Sequence, residues 1–534
     1  MEPKINYEVK DYAGKLAKAF LHNPLTPVLG AFLLIMGYLA LTIMPREEDP
    51  QIAISGGAVV VAMPGASPRE IENIIINPLE RKLREVKGIE HIYGQAFDNY
   101  GVVNVMYYIG EDREDANLKL YDKVMQNMDH MPKGVMQPLV KPFDIDIDIP
   151  ILTFAFYPKD NNVSEIKMYD IVRRLQQKIN AVHNVAKTTL KGARKEQFNI
   201  EVDMNKLSAY HLSMGQIMKA VQSVAVDVPD VKGRTKDNRL VIFGVKNAIE
   251  SVEDVKNVIV AQYMGSPIYL RDVAKVTDGI DIQNFKRATV MFKKDRDANM
   301  GPQKNQITLS VAKLAGTNAV FVAEDVLELL KEYEPELTKE GIGYIVTRNY
   351  GERANEAVNE LMNHLLITIV IIALMLVFAL GWKESLIVTF TVPAILAVTL
   401  FIAWVTGQTI NRITLFAFLL SLGLLVDAAI IVIENIHRHL HAHDVDEKDM
   451  DTLLVEATDE IGAPTNIATL AIILTMVPMA FVGGMMGAFM KPIPLNVPVA
   501  LIASLFVAYI FTPYLSRRLL KKPTHKHHHK KGAH

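Results

Sequence analysis

The stretch "LGLLVDAAIIVIENIHRHLHAH", Leu422 to His443, is an apolar helix with one carboxylate, Asp427, near its middle. An ionisable group at that depth in hydrocarbon costs from a few to well over ten kcal/mol, at about the range these scales give, and is retained where it has work to do. A carboxyl in a dry helix bundle can take up and release a proton near neutral pH. Gly423, Asp427 and Glu434 stand at i, i+4 and i+11 and fall on nearly one helix face. Gly423 is expected to let another backbone approach closely. Glu434 lies about 10 Å further along the axis, where it and Asn435 are expected at the water boundary. The bland reading of Asp427 is an acid hydrogen-bonded to a neighbouring helix for packing alone.

Other residue types could hold a metal. His437, His439, His441 and His443 follow the apolar stretch, and His525, His527, His528 and His529 lie in the tail "HKHHHKKGAH". Their spacings suit imidazole ligands, although a solvated, lysine-interrupted tail is the favoured reading. Met125, Met128, Met131 and Met136 cluster on and after one helix; thioethers bind soft ions, but helix-spaced methionine is more often packing. "DIDIDIP", Asp144 to Pro150, would place three acids on one strand face; it lacks the glycine and closing glutamate of a calcium loop and reads as an edge strand or connector. There is no P-loop and no nucleophile–base arrangement, so ATP hydrolysis is not expected. The chain has no cysteine, which excludes disulfides and thiolate sites, and its net charge of −2 gives no sign of nucleic-acid binding.

Six segments are long enough to cross about 30 Å of hydrocarbon: residues 25–44, 364–380, 386–405, 413–436, 467–482 and 497–515. The two tryptophans, Trp382 and Trp404, flank the third of these and read as interfacial. Lys4, Lys10, Lys15 and Lys18 precede the first span, and Arg517, Arg518, Lys521 and Lys522 follow the last. The positive-inside rule therefore puts both ends in the cytoplasm and the insertion between spans one and two outside, in the periplasm of a two-membrane cell. The expected division is a cytoplasmic segment 1–24, span one at 25–44, an external domain 45–360, spans two to six within 361–516, and a basic His-rich cytoplasmic tail 517–534.

Within the external domain, "AISGGAVVVAMPG" reads as a strand. The helix "SPREIENIIINPLERKLREV" follows, with Ser67 as N-cap, Pro68 in the first turn and Glu70 completing a capping box. "IEHIYGQA", "GVVNVMYYI", the helix "EDANLKLYDKVMQNMDHM" and a strand at "PILTFAFYP" complete a β-α-β-β-α-β order, a split βαβ (ferredoxin-like) unit. A second unit is read from "SEIKMYDIVRRLQQKINAV", "AKTTLKGA", "QFNIEVD", "QITLSVAKL", "NAVFVAEDVLELLKEYEPEL" and "IGYIVTRNY", interrupted by a β-rich excursion at about residues 220–290. The fold class expected is thus a membrane protein: an α-helical bundle of six transmembrane helices with a large periplasmic α+β domain.

"MPREEDPQI", "PGASPREIENIIINPLERKLREVKGIEHI", "LRDVAKV", "AGTN", "LGLLVDAAIIVIEN" and "MKPIPLNVPVALIASLFVAYIFTP" together make the chain resemble the N-terminal half of inner-membrane pump subunits of the resistance-nodulation-division (RND) superfamily. The resemblance covers nearly the whole chain. It implies proton-driven efflux with no cofactor, trimeric assembly, and coupling to a periplasmic adaptor and an outer-membrane channel. Two features depart from the family pattern. Members usually carry twelve spans, and many drug exporters have two adjacent aspartates in the fourth, whereas Asp427 is followed by Ala428 as in the heavy-metal branch. Substrate therefore stays open between amphiphilic organic compounds and a soft metal ion. The family's lysine partner for the acid comes from the second half. Its place could be filled by a separate chain or by a second copy of this one, a dimer of halves within the trimer. A non-transporting scaffold is the alternative of another class.

Overall fold

The structure, a computed structural model, describes residues 5–225, 229–244, 249–281, 286–442 and 449–521, with the side chains of residues 145 and 146 excepted. Six helical stretches are long and apolar enough to cross a membrane: Leu25–Ile43, Tyr350–Ala379, Trp382–Val405, Arg412–Leu440, Met450–Ala480 and Gly484–Leu519. They are called spans one to six. Spans three, four and six are buried over most of their apolar length, while one, two and five line the outside. Small residues allow the tight crossings. A Cβ on Gly37 of span one would stand 2.3 Å from Ala397 Cβ and 2.4 Å from its Cα, so these two helices meet backbone to backbone.

The helices of spans two to six begin before the first residues expected from the sequence. Span two begins at Tyr350, capped by Asn349 Oδ1 accepting from Glu352 N–H at 3.0 Å, and rises out of the α/β domain without a break. Span four is interrupted. One helix covers Arg412–Leu425 and the next Asp427–Leu440, with Val426 between them. Ser421 Oγ donates to the Phe418 carbonyl at 2.9 Å two residues before Gly423, a serine–glycine pairing of the kind that loosens a helical ladder. The ladder restarts where Ile430 N–H donates to the Val426 carbonyl at 2.8 Å.

The insertion contains two β-α-β-β-α-β units. In the first, β1 (Gly56–Ala62), β2 (Ile89–Ala96), β3 (Tyr100–Tyr107) and β4 (Leu139–Pro142) form an antiparallel sheet in the order β2-β3-β1-β4. The connecting helix Pro68–Leu83 carries a π-helical turn at Glu72–Ile76 just before Pro78, whose missing N–H cannot continue the ladder. Ser67 Oγ accepts from Glu70 N–H at 3.3 Å as expected; the Glu70 carboxylate returns to the Ser67 hydroxyl at 3.2 Å.

The second unit begins with β5 (Leu152–Pro158) and β6 (Val185–Lys191). An excursion follows with β7 (Glu196–Val202), the hairpin β8 (Val231–Arg234) and β9 (Leu240–Phe243), the hairpin β10 (Ile259–Tyr263) and β11 (Ser266–Tyr269), and β12 (Ala274–Ile280). The chain returns with β13 (Ala288–Val290), β14 (Lys304–Lys313) and β15 (Ile342–Asn349). The sheet order is β6-β14-β5-β15, all antiparallel, with β13 beside one end of β14. Both units therefore repeat one order, second-third-first-fourth.

Two sequence assignments change here and one open alternative closes. "PILTFAFYP" opens the second sheet instead of closing the first, because Phe154 and Phe156 are wholly buried in the second core; the closing role falls to the four-residue β4. "QFNIEVD" leaves the unit to pair with β12, so the excursion starts near residue 196, and it has its own core around Leu207, Ile217, Leu270 and Val273. "DIDIDIP" takes the connector alternative between the two units and not the edge strand, with a helical turn at Ile145–Asp148: Asp144 N–H donates to Asp148 Oδ2 at 3.0 Å, and Arg113 and Lys187 hold the two acids at 2.8 and 3.3 Å. Local side-chain-to-backbone bonding by aspartate outweighs the alternating pattern.

On the side of the bundle opposite these units, the N-terminal segment forms the helix Tyr12–Phe20 against Met450–Glu460. Asp459, 5 % exposed, accepts from the Tyr7 hydroxyl (2.9 Å), Lys10 N–H (3.1 Å) and Asp11 N–H (2.8 Å).

Candidate functional site

Asp427 is the first residue of the second half of span four. At 1.5 Å per residue it lies about 20 Å from either end of that span, at the middle of the apolar layer. The acid stands in the first turn of the half-helix that follows the break, the end at which a helix dipole favours negative charge. Its side chain is exposed on the surface of this chain, and among the described residues it has no hydrogen-bond or ion-pair partner. The packing role is therefore not supported: no neighbouring helix of this chain receives the acid.

Asp427 shares its face with Leu420, Gly423, Ile431, Glu434 and Arg438, all exposed and spaced three or four residues apart. Gly423 stands on this face, and a Cβ built on it meets nothing within 4 Å among the described residues. Glu434 is exposed on the same face, seven residues beyond Asp427. Asn435, expected with Glu434 at the water boundary, faces into the bundle. It is buried, donates to the Ala457 carbonyl (2.7 Å) and Glu460 Oε2 (3.3 Å), and accepts from Arg438 Nε and Nη2 at 3.1 and 2.9 Å. One residue along a helix turns the side chain by about 100°, which is enough to send Glu434 outward and Asn435 inward.

The metal candidates do not converge. Among the described residues no group of three His, Asp or Glu side chains is placed to hold an ion. His437 Nδ1 is 3.2 Å from Glu384 Oε1, His439 Nε2 is 2.6 Å from Glu460 Oε2, and His441 Nδ1 is 2.9 Å from the His437 carbonyl. Carboxylates and a carbonyl thus engage the three rings. His443, His525, His527, His528 and His529 lie outside the described residues. Met131 packs on the first unit's core and Met125 is half-buried, while Met128 and Met136 are exposed.

Sequence reading missed a polar node at the junction of the domain and the bundle. Glu47, after span one, accepts from Lys313 Nζ at 2.9 Å and from Thr409 Oγ1 at 2.5 Å; all three residues are under 8 % exposed. Lys313 did carry a signal. It occupies the core-facing phase of β14, after Ile307, Leu309 and Val311, where a charge needs a partner.

The pattern of the AcrB/AcrD/AcrF family matches residues 16–533. The chain therefore belongs to that family, and so to the RND superfamily of efflux transporters.

Proposed function

We propose that this RND transporter chain exports amphiphilic or hydrophobic compounds by proton antiport across the inner membrane, with Asp427 as the group that carries the proton. The observation that supports this reading is an acid at mid-span, beside a helix break, with no hydrogen-bond or ion-pair partner among the described residues. Irregular backbone at that depth persists where protein or a polar cavity surrounds it, not lipid. The face with Gly423, Asp427 and Glu434 is thus read as an interface with further membrane-spanning helices. Both termini are placed in the cytoplasm and the two ferredoxin-like units in the periplasm, by the lysine and arginine distribution.

Assembly with further copies, and with an adaptor and outer-membrane channel, is proposed from family membership. The β8–β9 hairpin adds to this. It stands apart as its own two-stranded sheet, with Val231, Leu240, Ile242 and Phe243 all more than half exposed, as an arm seeking an apolar partner would be.

The test is dye export from vesicles reconstituted with the active assembly under an imposed pH gradient. Asp427→Asn is expected to stop dye-dependent proton flow and export together. Full export by that variant overturns the coupling role and leaves a scaffold or another energy source. Export of a soft metal ion is the second reading, favoured by Ala428 after the acid and by exposed Met128 and Met136; saturable metal binding lost with both methionines supports it over dye export.

A further inference from the structure

The residues Arg46 and Glu47 join five elements. The Glu47 N–H donates to the Ile410 carbonyl at 3.0 Å, and Ile410 N–H to the Pro45 carbonyl at 2.8 Å, binding the exit of span one to the loop between spans three and four. The Arg46 carbonyl accepts from Ala319 N–H at 2.7 Å, at the start of the long helix Ala319–Lys339 of the second unit. Arg46 Nη1 donates to Asn355 Oδ1 at 3.1 Å, in the first turns of span two. At the centre, the Glu47 carboxylate divides its oxygens: Oε2 takes Lys313 from the second unit's sheet and Oε1 takes Thr409 from the bundle. Arg412, at the head of span four, reaches Asp49 Oδ1 at 2.6 Å beside it.

We infer that this buried Glu47–Lys313–Thr409 node fastens the second α/β unit to spans one, three and four, so that unit and bundle move as one body. A buried ion pair gives little net stability because desolvation offsets its attraction, but its geometry admits few alternatives, unlike a greasy contact that can slide. The ion pairs described for the first unit stay within it or reach the Ile145–Asp148 turn. That unit, tethered through residues 48–55 and 143–151, is the one left to rock against a fixed second unit. Glu47 and Lys313 are positioning residues in this scheme.

The chain has no cysteine, so two introduced cysteines are unique labelling sites. Spin labels at Lys331→Cys, exposed on the second unit's helix, and Thr406→Cys, exposed at the end of span three, report the spacing of unit and bundle by pulsed dipolar spectroscopy. A narrow distance distribution is expected for the otherwise unchanged chain, and one at least twice as wide for Lys313→Met. Glu47→Gln keeps an acceptor for Thr409, so it serves if Lys313→Met fails to fold, and the same broadening is expected of it. Lys167→Met, which removes an exposed pair with Glu340 in the same unit, should change nothing. Unchanged widths in a folded Lys313→Met or Glu47→Gln, or equal broadening by Lys167→Met, overturn the inference. The measurement needs no transport and is independent of the proposed substrate and proton coupling.

Discussion

Asp427 and Glu434 emerge seven residues apart on the same face of span four, both exposed, and neither has a hydrogen-bond or ion-pair partner among the described residues. Asn435, next to Glu434, is instead drawn into the bundle by the Ala457 carbonyl. One span therefore has two jobs on two faces: its inner face holds the fold together, and its outer face carries acids that cost the fold nothing to alter.

That division predicts how Asp427→Asn behaves apart from transport. The substitution breaks no bond within the chain, so its effect on stability should stay within about 0.5 kcal/mol, as for a site away from core features. Thermal unfolding in mild detergent is the check, and a loss several times larger would mean that the acid is a structural residue after all.

Asn435→Ala should do the reverse. It removes the donor to Ala457 and Glu460 and leaves the buried carbonyl unsatisfied, at a cost of about 1–3 kcal/mol. The same unfolding measurement reads it, and the loss should be matched by faster proteolysis near Met450–Glu460.

Two glycines separate close packing from an open face. Gly37→Ala drives a Cβ into the Ala397 backbone, which cannot yield locally, and should destabilise by about 1–3 kcal/mol. A Cβ at Gly423 has open space around it among the described residues, so Gly423→Leu should leave melting unchanged. If its face docks another half, the leucine should instead shift the particle to smaller mass in light scattering. Unchanged mass would argue that the interface lies elsewhere.

The contact between Tyr7 and Asp459 has a pH signature. Burial, with the Asp459 carboxylate beside it, pushes the Tyr7 phenol up to about 12. The folded value lies above the unfolded one near 10, so the contribution is complete below pH 10 and is lost as pH rises toward 12. Tyr7 is partly exposed, so the stabilisation is set at about 1 kcal/mol. The stability difference between the unaltered chain and Tyr7→Phe should be constant to about pH 10 and shrink above it. A difference that grows with alkali would refute the assignment.

The sequence by itself determined the parts ruled by local composition and periodicity. Runs of some twenty apolar residues can go nowhere but across hydrocarbon, so the six spans were legible, as was the isolated acid in the fourth. The amphipathic helix capped by Ser67 was legible from its own pattern. The family pattern over residues 16–533 agrees with the resemblance carried by short motifs such as "LGLLVDAAIIVIEN".

Only the tertiary structure decided which strand joins which sheet, which face of span four is covered, and what meets Glu47. Strands β7 and β14 look alike in sequence, and their partners are fixed by two different cores, each assembled from residues distant in sequence. Glu47 and Lys313 are 266 residues apart, and neither position names its partner. Desolvation makes them a pair, and it acts only once the chain has closed around both.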